Sequence, residues 1–269
     1  IVRLVGSEMC IRDSSLSAKS YRKIIGSNDR IKIAFQGLGR RIPGLLSGAI
    51  SQQNIEVTYL CDVMDNQIAK ASKRFFDLTG NQTKSEKNIH KIFEDKDVDA
   101  IIMATPDHWH AYGACKAMQS GKHVYLEKPC SHNMMESELL VSYQKYFNKV
   151  VQMGNQQRSS PHTIELVKKI NNGVIGKTYK ATAFYYSNRP RVPNQVLAPI
   201  PEGLDWNLFQ GPAVRREYTF NTWDYNWRWY GWDYGTGEAG NNATHELDIA
   251  RWALNAVSYT HLTLPTTDR

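Results

Sequence analysis

The sequence predicts an α/β fold: a parallel, helix-covered sheet followed by a second, partial α/β domain. Short apolar runs alternate with helical periodicity from residue 31 to about residue 154, which implies right-handed crossovers between parallel strands. One run, 98–104 (VDAIIMA), is almost wholly apolar, as a central strand covered on both faces must be. The length of 269 residues leaves room for about two domains, and 41% hydrophobic with 22% charged residues is ordinary for a soluble globular chain. No stretch approaches the ~20 apolar residues of a membrane-spanning helix, so no membrane partner is expected.

The elements follow in order. Residues 31–35 (IKIAF) read as a buried strand, followed by a glycine turn and a helix. Residues 56–61 (EVTYLC) form a second strand ended by Asp62, and 66–76 a helix with Ile68, Ala69, Phe75 and Phe76 on its apolar side. Beyond the 98–104 strand come a helix at 112–120, a strand at 123–126, a helix at 136–146 and a strand at 150–153. These complete a first domain spanning 31–154. The second domain, 155–256, opens with a helix at 163–171 and a longer strand at 178–186. An aromatic, proline-bearing stretch at 189–234 then shows few regular signals, and a loop that long is usually functional.

Both ends fit none of these elements. "SEMCIRDS" within residues 1–14 and "VSYTHLTLPT" within 257–269 resemble translated sequencing-adapter read-through, so they are set apart from fold reasoning. Native sequence is expected from about Ser14 to Ala256, continuing at both ends. Residues 15–30 form an N-terminal arm in which Ser15-Leu16-Ser17-Ala18 resembles the close of an export signal. Periplasmic delivery by the twin-arginine route, with cofactor already bound, would suit such a signal; a cytoplasmic protein with a loose arm is the alternative.

The formal net charge of +7 raises the question of nucleic acid, but Lys and Arg are spread along the chain and no binding signature accompanies them. No nucleic-acid partner is expected. Cys10, Cys61, Cys115 and Cys130 show neither a CxxC pair nor metal-ligand spacing.

Gly37-Leu38-Gly39 sits between a predicted strand and a predicted helix, the setting of the Rossmann dinucleotide fingerprint. Glycines there let the backbone approach a pyrophosphate while the helix N-terminus supplies N–H donors. Ile42 replaces the third glycine, so the motif alone is weak. Asp62 strengthens it, lying about 20 residues on, where a carboxylate binds the adenosine ribose hydroxyls. Such a carboxylate repels a 2′-phosphate and favours NAD, whereas Arg40 and Arg41 leave NADP open.

Thr105-Pro106-Asp107-His108-Trp109-His110 follows the apolar 98–104 strand, whose carboxyl end should face a cofactor. Asp107, His108 and His110 lack a third metal ligand at sensible spacing, so Thr105, Pro106, His108 and His110 are taken as cofactor contacts and no metal is expected. Glu127-Lys128-Pro129 follows the 123–126 strand. A lysine beside a cofactor can shuttle a proton or orient a hydroxyl.

Glycine loop, terminal acid, "TPDHWH", "EKP" and "THELDIARW" occur in an order that resembles the Gfo/Idh/MocA oxidoreductases, from about Ile31 to Asn255. The resemblance implies a Rossmann NAD(P) domain, then a second domain with a mostly antiparallel sheet that walls the active site and mediates homo-oligomerisation. It implies that Lys128 is the active-site lysine, fixed by Glu127 and a cis Pro129. His245 would exchange the substrate proton, supported by Asp248 one helical turn on. At Asn241 the sequence departs from the frequent Asp, so the acid partner of His245 is missing.

Asn155, Gln156, Gln157 and Arg158 cluster at the domain boundary, and with Asn241 and Asp248 they suit a substrate bearing many hydroxyls. Trp206, Trp223, Trp227, Trp229 and Trp232 would stack on sugar rings or form a core or interface. The expected activity is hydride transfer between NAD(P) and a sugar or polyol. Rival readings are a hydrolase or lyase using transient sugar oxidation, and a non-catalytic dinucleotide-binding protein.

Overall fold

Strands β1 (Ile31–Gln36), β2 (Ile55–Cys61), β3 (Lys84–Glu86), β4 (Ala100–Met103), β5 (His123–Glu127) and β6 (Val151–Gly154) form one sheet, ordered β3-β2-β1-β4-β5-β6. A computed structural model describes residues 30–186 and 191–256; the adapter-like ends and Ser15–Ala18 lie outside the described residues. All strand pairings are parallel. The winding reverses between β1 and β4, and a crevice opens there at the carboxyl ends of the strands.

Helices α1 (Ile42–Ile50), α2 (Asp65–Thr79), α3 (Ile89–Glu94), α4 (Asp107–Gln119) and α5 (Met134–Phe147) cover the sheet. Phe35, Leu46, Leu60 and Phe75 are buried in one cluster, and Ile101, Met103, Met118 and Leu126 in another. The central strands therefore pack on both sides, as the apolar run at 98–104 requires.

Two expectations need correction. Helix α4 starts at Asp107 rather than near residue 112, with extended Pro106 ahead of it. The "DHWH" segment is thus the first turn of a helix, and Asp107, His108, Trp109 and His110 are all buried. The second concerns the strand expected at 178–186, which is absent; the described sheet is wholly parallel. Among the described residues, antiparallel pairing is confined to isolated bridges, Met64 with Leu204 and Leu197 with Thr219. A strand needs a partner for its N–H and C=O groups, and the described residues offer this segment none. Its side chains Tyr179, Phe184 and Tyr186 stand 80–90% exposed.

After helix α6 (Pro161–Asn171), the chain returns to the sheet's carboxyl edge through α7 (Trp206–Gln210) and α8 (Gly231–Tyr234). Asp205 N–H donates to the Val63 carbonyl at 2.9 Å, and Trp109 Nε1–H to the Phe209 carbonyl at 2.8 Å. Thr236 donates both its N–H and its hydroxyl to buried Asp107, at 3.0 and 2.6 Å. Met64, Leu204, Trp206, Phe209, Tyr218, Trp227 and Tyr234 form a third apolar cluster beneath this return. A π-helical turn (Ala239–Ala243) then leads into α9 (Thr244–Ala253).

The turn leaving β1 depends on glycine. Gly37 has φ +84°, and a Cβ there would lie 2.7 Å from the Ala104 backbone. At Gly39 a Cβ would meet nothing within 4 Å. Gly37→Ala should therefore destabilise the fold by about 2–4 kcal/mol in denaturant titration, from the left-handed conformation plus the clash. Gly39→Ala should stay within about 0.5–1 kcal/mol of the parent. Equal losses at both positions would contradict this account of the turn.

Candidate dinucleotide and active site

A cavity of about 330 Å³ opens at the crevice between β1 and β4. The expected cofactor residues Gly37, Gly39, Arg40, Arg41, Asp62, Thr105, Pro106, Glu127 and Lys128 all border it. Leu38 takes part differently: its side chain is buried in the core, while its N–H donates to Asp62 Oδ2 at 2.6 Å. That bond ties the glycine loop to the end of β2. Met64 N–H holds the other Asp62 oxygen at 2.9 Å. Burial outweighs these donors and pushes the Asp62 carboxyl up to about 6.

The two arginines after the loop are both matched by carboxylates. Arg40 pairs with Asp224 at 3.3 Å, and Arg41 with Glu127 at 2.7 Å. Gln156 donates to both oxygens of Glu127, at 3.0 and 3.2 Å. Glu127 is thereby held on two sides beside Lys128. The Lys128–Pro129 peptide bond is cis, as the resemblance implies.

His108 and His110 do not border the cavity. His108 lies between the Phe209 and Tyr234 carbonyls, at 2.8 and 3.2 Å, and burial pushes its imidazole down to about 4. His110 Nδ1 faces the Pro129 carbonyl at 2.5 Å. Both hold segments together from the first turn of α4, a role the sequence conceals because it depends on where that helix begins.

The catalytic candidates come from opposite directions. Lys128, at the end of β5, donates to the Asn241 carbonyl and lies 3.4 Å from Asn241 Oδ1. Burial holds its ammonium below the usual lysine range. His245 sits in the first turn of α9, with Nδ1 3.2 Å from Asn155 Oδ1. An amide oxygen only accepts, so Nδ1 carries the proton and Nε2 presents a lone pair. Burial first, then the Lys128 charge, lowers the His245 pKa.

The other substrate candidates are mostly occupied with one another. Arg158 makes a bidentate pair with Asp248, at 2.8 and 2.7 Å, and its guanidinium lies 4.5 Å over Trp252. Gln157 accepts from Thr163 at 2.9 Å. Of the tryptophans, Trp206 and Trp227 are buried in the third cluster and Trp223 packs against it. Trp223 and Trp227 border the cavity, together with Gln36, Asp224 and Arg228. Sequence reading missed those last three; the long aromatic stretch was the signal that could have found two of them.

Residues 31–155 match the model of an oxidoreductase family with an NAD-binding Rossmann fold, Gfo/Idh/MocA. Over these residues the chain is similar to the NAD-binding domain of that family. The chain is 26% identical to a levoglucosan dehydrogenase of Pseudarthrobacter phenanthrenivorans over 198 residues, covering 74% of this chain and 42% of that protein. It is 25% identical to a glycosyl hydrolase family 109 protein of Shewanella pealeana, covering 60% of this chain and 36% of that one. The chain thus spans less than half the length of these relatives. A scyllo-inositol dehydrogenase from Lactobacillus casei, solved with NAD(H) and scyllo-inositol, shares the fold. The TM-score is 0.50 at 21% identity, over 55% of this chain and 43% of that one.

The cavity fits the cofactor of a Gfo/Idh/MocA domain. Gly39 leaves open space where a diphosphate meets the start of α1, and Gln36 Oε1 and Thr105 Oγ1 are buried without partners at the strand ends. If Asp62 accepts the ribose hydroxyls, it does so best when ionised, and NAD affinity should then rise between about pH 5 and about pH 7. The midpoint should lie near 6, and the rise should vanish in Asp62→Asn. Calorimetric titration across that range checks it, and a flat parent profile would count against Asp62 as the ribose acceptor.

Proposed function

We propose that the protein is an NAD-dependent oxidoreductase acting on a hydroxyl or carbonyl of a sugar or polyol. One observation carries the reading: Lys128 borders the dinucleotide cavity and is bonded to the turn that leads into the His245 helix. Cofactor wall and proton acceptor are thus joined at one lysine. Glycosidic relatives and an inositol dehydrogenase among the similar folds support the substrate class.

Bound nicotinamide supplies a hydride acceptor or donor. The chain's residues do the rest. Neutral His245 takes the hydroxyl proton at Nε2, with Asn155 holding its Nδ1–H. Lys128 donates a hydrogen bond to the substrate oxygen and favours its deprotonation. Asn155, Gln157, Arg158, Asn241 and Asp248 form the substrate side of the site. Asp62 favours NAD over NADP, since Arg40 and Arg41 are already matched by carboxylates.

Residues 155–256 belong, on this reading, to a second α/β domain with a mostly antiparallel sheet, to which the exposed 178–186 segment contributes a strand. That domain supports a homo-oligomer. A second catalytic reading, glycoside cleavage through transient oxidation, is favoured by likeness to the glycosyl hydrolase family 109 protein. Only net redox turnover changes reduced-nicotinamide absorbance in proportion to substrate consumed.

His245→Ala should lower kcat by about 10²–10⁴ with NAD affinity little changed, and Lys128→Met should act similarly. In the oxidising direction the rate should rise with pH through a midpoint below 6.5, the ordinary histidine value, because the His245 pKa is lowered. Stopped-flow measurement of hydride transfer, on the full-length enzyme with a sugar and polyol panel, gives both numbers. Near-parental kcat in His245→Ala would remove that residue from the mechanism.

A further inference from the structure

The strap that closes the cavity opposite the glycine loop carries a cation with no carboxylate in salt-bridge range among the described residues. Arg228 borders the cavity in a 3₁₀ turn (Asn226–Arg228). Its guanidinium lies 4.2 Å over the Trp227 ring and 4.7 Å over the Tyr225 ring. Among the described residues its hydrogen bond is that from Nη1 to the Tyr225 carbonyl, long at 3.4 Å. The other guanidinium on Tyr225 is that of Arg40, at 4.6 Å, which directly follows Gly39. One aromatic ring therefore gathers a cation from the phosphate loop and a cation from the strap.

The charge accounting around the cavity singles Arg228 out. Arg40 is matched by Asp224, Arg41 by Glu127 and Lys87 by Asp65 at 2.8 Å. Among the described residues no carboxylate lies within 4.0 Å of Arg228. A guanidinium withdrawn from water against two aromatic rings is costly without a paired anion; burial lowers its pKa, and the charges of Asp107 and Asp224, beyond salt-bridge range, offset that only in part. Its backbone is also fixed. Gly235 approaches so closely that a Cβ there would lie 2.6 Å from Arg228 Cα, and Trp227 N–H donates to the Thr222 carbonyl at 3.0 Å. The guanidinium fork suits bidentate binding of a phosphate group.

We propose that Arg228 is a second anchor for the diphosphate of the dinucleotide, reaching it from the strap while the glycine loop holds the other side. The proposal rests on the dinucleotide reading of the cavity and adds to it a residue outside the Rossmann domain. It makes cofactor retention depend on residues 222–230, so the strap helps keep the dinucleotide bound between turnovers.

The test is equilibrium binding, with no turnover needed. NAD, ADP-ribose and adenosine are titrated by calorimetry against the parent protein, Arg228→Gln and Arg228→Lys, with thermal unfolding of each variant recorded alongside. ADP-ribose keeps the diphosphate without the nicotinamide, and adenosine lacks both. Arg228→Gln should weaken NAD and ADP-ribose alike by about tenfold or more, and leave adenosine unchanged. Arg228→Lys keeps the charge but loses the fork, and should weaken both by about threefold; it carries the test if the glutamine variant does not fold. ADP-ribose affinity equal to the parent's in a folded variant overturns the proposal. A parent protein that binds no NAD would instead overturn the dinucleotide reading itself.

Discussion

The contact between the β1 turn and the end of β4 governs the rest of the molecule. Gly37 runs so close to the Ala104 backbone that no side chain fits between them. That approach brings the glycine loop, the Asp62 carboxylate and Thr105 to one crevice at the reversal of strand order. The Leu38–Asp62 bond then fixes the loop against β2. Removing any one of these contacts would loosen the others, because all three strand ends share a single turn.

What lies beyond the sheet completes the site without adding to the sheet. The buried groups of "DHWH" face the returning chain: Asp107 holds Thr236, His108 lies between two carbonyls, and Trp109 donates to Phe209. These polar contacts, backed by the third apolar cluster, place Trp223, Asp224, Trp227 and Arg228 over the cavity. The two histidines read as cofactor contacts thus act one layer out, His108 by seating the segment that closes the pocket and His110 by holding Pro129.

Legibility in the sequence followed how local each signal was. The glycine loop, Asp62 and Lys128 were readable because strand ends and short spacings place them, and the structure brings all of them to one cavity. The strap was not readable. Arg228 reaches the cavity through aromatic packing between residues distant in sequence from the glycine loop, and no periodicity reports that. The 178–186 strand failed in the opposite way. Its alternation is real, with Ala181 and Ala183 half-buried between exposed neighbours, but pairing needs a second strand that the described residues do not provide.

The amide pair around the proposed proton acceptor bears on the direction of its chemistry. A carboxylate partner would stabilise an imidazolium and raise the histidine pKa. Here Asn155 holds His245 Nδ1, and Asn241 meets Lys128. Neither amide can take up charge. Burial and the neighbouring ammonium both press His245 towards its neutral form. A neutral imidazole with a fixed Nδ1–H is ready to accept a proton and poorly placed to donate one. On the proposed reading, the site therefore favours removing a proton from a hydroxyl, the oxidising half of the reaction.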